Sequence, residues 1–240
     1  MARDRKMRSF CLTGLFLFSI LFSLALPAGT VSASNETTSG TITGTETWAG
    51  VHTLTGDVTI APGAKLIINP GATIEFPNGT HLDVRGSLCA GLASCGASSN
   101  AGPAMRINLR WSEPVNASAT GECYGMSYGN QEIWIDDPSC SEGILMRSSI
   151  DLAETGLRYV TFDSAWGIPQ YISAVGEFRY GALVLDGASP TLTELSFNQI
   201  NTSSVLTTNL AQPSFNGGDF AVGIDANTGI VGAALQIYSC

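Results

Sequence analysis

Charge is scarce in this 240-residue chain: Asp, Glu, Lys and Arg together make up 13% of it, about half the usual quarter. Basic residues are scarcer still, 11 Lys and Arg against 20 Asp and Glu, for a net charge of −9. A surface so poor in positive charge is repelled by phosphate backbones and anionic lipids, which excludes a nucleic-acid binder. Only two histidines are present, His52 and His81. No Gly-x-Ser-x-Gly elbow occurs, so neither a Ser–His nor a Cys–His nucleophile is expected. So little charge, with 27 glycines, also excludes a coiled coil. What remains is a chain with 44% hydrophobic residues and 27 glycines, able to bury a core and to turn often. A disordered acidic tail does not have that composition.

The one long apolar run, Phe10 to Leu26, follows Arg3, Arg5, Lys6 and Arg8 and precedes Val31-Ser32-Ala33. This is the pattern of a secretory leader cleaved after Ala33. An uncleaved anchor is the rival reading, although the run is at the short limit for spanning a bilayer. With cleavage there, residues 1–33 are a signal peptide, no membrane span is left, and the mature protein is secreted, extracellular or at the cell surface. Residues 34–47, rich in Thr, Ser and Gly, read as a flexible lead-in.

Outside the leader stand Cys89, Cys95, Cys123, Cys140 and Cys240. In an exported chain, near neighbours in sequence are plausible disulfides, which pairs Cys89 with Cys95 and Cys123 with Cys140. With so few histidines a zinc site is not expected. Cys240 is left odd, open to linking two chains. Because the chain stops there without an obvious cap, it reads as truncated and as able to stack end to end. Asn35, Asn78, Asn116 and Asn201 stand in N-x-Ser/Thr sequons.

Internal repeats carry the fold. From Val58 the chain divides into blocks of eight: VTIAPGAK, LIINPGAT, IEFPNGTH, LDVRGSLC. Val58, Leu66, Ile74 and Leu82 head the blocks, and Ile60, Ile68, Phe76 and Val84 follow two residues later. That is strand alternation with one face buried. Pro62-Gly63, Pro70-Gly71 and Asn78-Gly79 break the strands at tight corners. Such short strands read as the sides of a coil, three to a turn. A second alignment, at an offset of 23, sets VTFDSAWGIP (from Val160) against LVLDGASPTL (from Leu183) and LTTNLAQPSF (from Leu206). Both stretches give about 23–24 residues per coil. The expectation is an all-β, right-handed parallel β-helix over residues 48–240. An aperiodic loop at about 112–142, stapled by the Cys123–Cys140 pair, interrupts it.

GDVTIAPGAKLIINPGATIEFPNGTHLDVRGSL (Gly56 to Leu88) resembles the opening coils of secreted and cell-surface right-handed β-helix proteins of the pectate-lyase-like superfold. GALVLDGASPTLTELSF (Gly181 to Phe197) resembles their later repeats. The resemblance implies the fold only: the matching residues are turn and core positions, and no enzyme motif of those families is matched.

Four groups of residues are candidate sites. The offset of 23 puts Asp163, Asp186 and Asn209 in one column, about 4.8 Å apart on adjacent coils. Carboxylates that close need a cation or hydrogen bonds between them. One reading is a calcium site. The other is that each residue caps its own turn. Arg106 and Arg110 share one strand face about 13 Å apart, where they either grip an anionic polysaccharide or pair with neighbouring acids. Trp134 and Tyr124 offer a sugar-stacking platform or a small core of the loop itself. Asp136, Asp137 and Glu142 supply oxygen ligands, but their spacing misses an EF-hand loop.

The functional expectation is an exported module with a structural, adhesive or glycan-binding role and no evident catalysis, its partner a polysaccharide or cell-envelope glycan. A calcium-assisted polysaccharide lyase or glycoside hydrolase is the alternative.

Overall fold

The computed structural model describes residues 36–112, 141–200, 202–220 and 234–238. Contacts divide the chain into residues 1–35 and 36–240, and everything described lies in the second unit. The described residues are all-β, with short 3-10 turns at Ala93–Cys95, Pro103–Met105 and Leu152–Glu154.

Two sheets of mainly parallel strands hold the fold, in a pattern consistent with a parallel β-solenoid. The first sheet runs β1 (Gly40–Ile42), β4 (Val58–Ile60), β7 (His81–Val84), β10 (Gly143–Arg147), β14 (Glu177–Asp186), β16 (Ser203–Thr208), β18 (Leu235–Ile237). β13 (Ile168–Ile172) joins the front of β14 antiparallel. The second sheet has two arms. One is β2 (Thr45–Trp48), β5 (Lys65–Ile68), β8 (Ser87–Ala90) and β11 (Gly156–Arg158). The other is β3 (Val51–Thr53), β6 (Thr73–Phe76), β9 (Ile107–Trp111) and β12 (Val160–Asp163). Both arms reach β15 (Thr191–Asn198), whose first residues pair with β11 and last with β12. β17 (Ser214–Phe220) lies along the whole of β15.

The eight-residue blocks account for the first circuit. Val58 lies opposite Leu82 and Ile60 opposite Val84, a spacing of three blocks. All eight inward positions of those blocks, from Val58 to Val84, are buried. Each such side chain contributes about 1.5–3 kcal/mol on leaving water. The corners need residues that tolerate left-handed backbone: Gly63, Gly71 and Gly79 have φ of 79°, 79° and 74°. Inside the coils the inward columns continue as Leu82, Ile144, Leu183 and Val205. On the far arm they become a stack of rings: Phe76 on Trp111, Trp111 near Phe162, Phe162 on Phe197, Phe197 on Phe220, with centroids 4.3, 6.2, 4.8 and 5.4 Å apart.

Three expectations need correction. The alignment at 23 residues does not give the rungs: Val160 lies opposite Ile107, Leu183 opposite Ile144 and Val205, and Leu206 opposite Val184. Similar residue types recur because every rung needs them, while the β13–β14 hairpin and the long β15 change how much chain separates one rung from the next. A spacing of 23 does occur, between Thr191 and Ser214, in a different column. Second, much of the lead-in is strand, since β1 pairs with β4 and β2 with β5; alternating threonines suit a pleated surface. Third, the outward row of the first sheet turns apolar: Leu145, Val184 and Leu206 are buried with Ile168 in a separate cluster. The unbroken apolar runs Ile144–Met146 in β10 and Ala182–Leu185 in β14 are what strands covered on both faces require.

Cys89 and Cys95 are disulfide-bonded, Cα atoms 5.9 Å apart, and close a small loop that packs with Ala97 over Ile67. Cys123, Cys140, Cys240, the leader and the sequons at Asn35, Asn116 and Asn201 fall outside the described residues. Asn78 is exposed at its corner.

Candidate functional site

Outward side chains of the first sheet form a chain of alternating charge. Asp83, on β7, is 4% exposed. Its Oδ2 accepts from Arg85 Nε at 2.9 Å and Nη2 at 2.7 Å, and its Oδ1 accepts from Arg147 Nε at 3.1 Å. Burial alone would raise this carboxyl, but the hydrogen bonds and charges of Arg85 and Arg147 outweigh it and hold the group below the ordinary aspartate range. One rung further on, Arg147 lies opposite Asp186 with Nη1 3.6 Å from its Oδ2. Asp186 Oδ1 then accepts from Thr208 Oγ1 at 3.2 Å and from Asn209 Nδ2.

On the second arm of the larger sheet, the register sets two outward columns side by side. One is Val51, Thr73, Asn108, Thr161, Ser196, Asp219. The other is Thr53, Glu75, Arg110, Asp163, Asn198. Arg110, its side chain 58% exposed, stands between two acids and reaches Asp163 Oδ2 at 3.6 Å. Glu75 Oε2 accepts from Thr53 Oγ1 at 2.8 Å. Arg106, just before β9, is used differently. Its Nε donates to Thr161 Oγ1 at 3.0 Å and its Nη2 to the Glu194 carbonyl at 2.9 Å. It also lies over the Tyr159 ring at 5.5 Å, so it ties successive rungs together at the corner between the arms.

Glu142 is the third feature. Only 2% exposed, it accepts from the Gly79 N–H at 2.8 Å through Oε1 and from the Trp166 N–H at 3.0 Å through Oε2. Its backbone pairs with Gly167 on both sides. Burial pushes its carboxyl up to about 7, the two backbone donors opposing. One acid thus joins the Asn78-Gly79 corner to the turn ahead of β13.

Asp163, Asp186 and Asn209 are not one column. Asp163 belongs to the larger sheet, between Arg110 and Asn198. Asp186 belongs to the smaller, between Arg147 and Thr208. Asn209 reaches Asp186 alone of the two. Each carboxylate faces a guanidinium, so these residues do not fit a calcium ion as a set. Among the described residues no group of three or more His, Cys, Asp or Glu could hold a metal. Glu142 spends its oxygens on backbone donors, and Asp136, Asp137, Trp134 and Tyr124 lie outside the described residues. The Asp83–Arg147 pairing was not expected. LDVRG does place two opposite charges on one strand face, but nothing in the sequence says that β10 lies beside it.

No protein-family model matches the chain, and neither does a curated protein or a solved structure.

Proposed function

We propose that the chain is a right-handed parallel β-helix of the pectate-lyase-like kind, exported to the cell surface or beyond, that contacts glycan without catalysing a reaction. The observation that supports this reading is the pair of outward columns on β3, β6, β9, β12 and β15, where hydroxyl, amide and charged groups recur from rung to rung. Strands hold such groups in place before any ligand arrives, which lowers the cost of ordering them. Its one arginine, Arg110, is spent on Asp163, an arrangement suited to contact more than to proton or phosphoryl transfer. Fold alone does not assign a function. Retention on a panel of soluble polysaccharides, run with a spectrophotometric turnover assay with calcium and with chelator, tests the reading. Retention without turnover is expected. Calcium-dependent release of unsaturated or reducing ends would replace it with a lyase or hydrolase.

A further inference from the structure

Resting on the glycan-contact reading, we infer that the polymer is an uncharged polysaccharide, bound along the outer face of the second arm across the rungs β6, β9, β12 and β15. Two arginines make an acidic ligand the obvious expectation for this face, and the geometry removes both. Arg106 is held by Thr161 Oγ1 and the Glu194 carbonyl. Arg110 is flanked in register by Glu75 and Asp163 and paired with the latter. Asp219 adds a further carboxylate at the end of the neighbouring column. A polyanion would meet three carboxylates for one exposed guanidinium, and like charges brought together cost affinity and slow encounter.

An uncharged chain meets no such penalty. Asn108, Ser196 and Thr73 lie in one column, and Asn198 ends the other. Their side chains make no hydrogen bonds among the described residues. Rungs are about 4.8 Å apart and alternate outward residues about 6.6 Å apart along a strand. The free donors and acceptors therefore form a grid that is densest at Thr73, Asn108 and Ser196, interrupted at Thr161, which Arg106 holds, and completed by Asn198 in the second column. An extended sugar chain, with hydroxyls repeating along both edges, can satisfy such a grid without supplying charge. The contact is hydrogen-bonded with only Val51 apolar in either column, so affinity is modest and rests on many repeats.

The test is affinity gel electrophoresis of the full chain in gels containing a neutral β-linked glucan or mannan, or polygalacturonate, at low and high salt. Wild type is expected to be retarded by a neutral polymer, with little dependence on salt, and not by polygalacturonate. The Asn108→Ala/Ser196→Ala variant is expected to bind roughly tenfold more weakly, and Thr59→Ala, outward on the first sheet, to bind unchanged. Glu75→Gln with Asp163→Asn, which frees Arg110, is expected to gain salt-sensitive retention by polygalacturonate. Thermal melts of each variant separate lost binding from lost fold. Wild-type retention by polygalacturonate that Arg110→Gln abolishes would overturn the uncharged assignment and keep glycan contact. Neutral binding untouched by the Asn108/Ser196 changes would overturn this face alone. No retention by any polymer would overturn the glycan reading itself.

Discussion

The first circuit and the later ones turn the same corners with different residues. From β4 to β7 the bends fall on Gly63, Gly71 and Gly79, eight residues apart and all left-handed. From β11 onward the left-handed positions include Tyr159, Ser164, Glu194, Gln199, Asn209 and Leu210, with φ between 50° and 64°. The register stacks several of them: Tyr159 follows Arg158 as Glu194 follows Thr193, and Ser164 follows Asp163 as Gln199 follows Asn198. A side chain with a Cβ in this conformation costs about 1–2 kcal/mol relative to glycine. The later coils therefore bear a backbone cost that the first circuit avoids, offset by their stacked rings and ion pairs.

Four perturbations separate the two regions. Phe162→Ala should cost about 3–5 kcal/mol, because Phe162 packs between Trp111 and Phe197. Chemical denaturation reads it, and a loss of about 1 kcal/mol or less would deny the ring stack its role. Glu142→Gln should change the shape of the pH profile. The folded state raises this carboxyl to about 7, so it binds a proton the unfolded chain has already released, and stability falls as pH rises from about 4.5 to about 7. The penalty above that window is on the order of 3 kcal/mol. Melting temperatures across pH 5–8 should flatten in the variant.

Asp83 works in the opposite sense. Its carboxyl is held low, so its contribution is present above the ordinary aspartate pKa and is lost as pH falls through the folded value. Asp83→Asn should cost about 2 kcal/mol at neutral pH, less than a fully buried pair because Arg85 and Arg147 are partly in water. Acid titration of the two proteins should converge at low pH. The smallest effects come from exchanging the corner chemistry. Gly63→Ala meets no atom within 4 Å, so its cost, about 1 kcal/mol, is backbone alone. Leu210→Gly, at an exposed position with φ of 63°, should be neutral or gain up to about 1 kcal/mol, since glycine loses more freedom on folding. Thermal melts of the pair should move in opposite directions or differ clearly in size.

Where a corner had to be Pro-Gly or Asn-Gly, the sequence showed it, and the alternation of Val58 to Val84 placed every inward side chain of the first circuit. The Cys89–Cys95 bridge was legible from spacing. The later rungs were not, because Tyr159 and Glu194 carry no turn signature. β15 serves both arms, and Phe162-Asp163 ends a strand of the larger sheet much as Leu185-Asp186 ends one of the smaller. That misled the grouping of Asp163 with Asp186. Of the candidate site, Arg110 was visible as an exposed strand arginine; its flanking by Glu75 and Asp163, and the burial of Asp83 and Glu142, depend on pairings between strands distant in sequence.

Register, not sequence period, decides which charges meet in this molecule. Thiol crosslinking tests it most directly, in a background with Cys123, Cys140 and Cys240 changed to serine. Asp163→Cys with Asn198→Cys should link rapidly with a short bis-thiol reagent while Asp163→Cys with Asp186→Cys does not. Efficient linking of 163 to 186, with none to 198, would contradict the account.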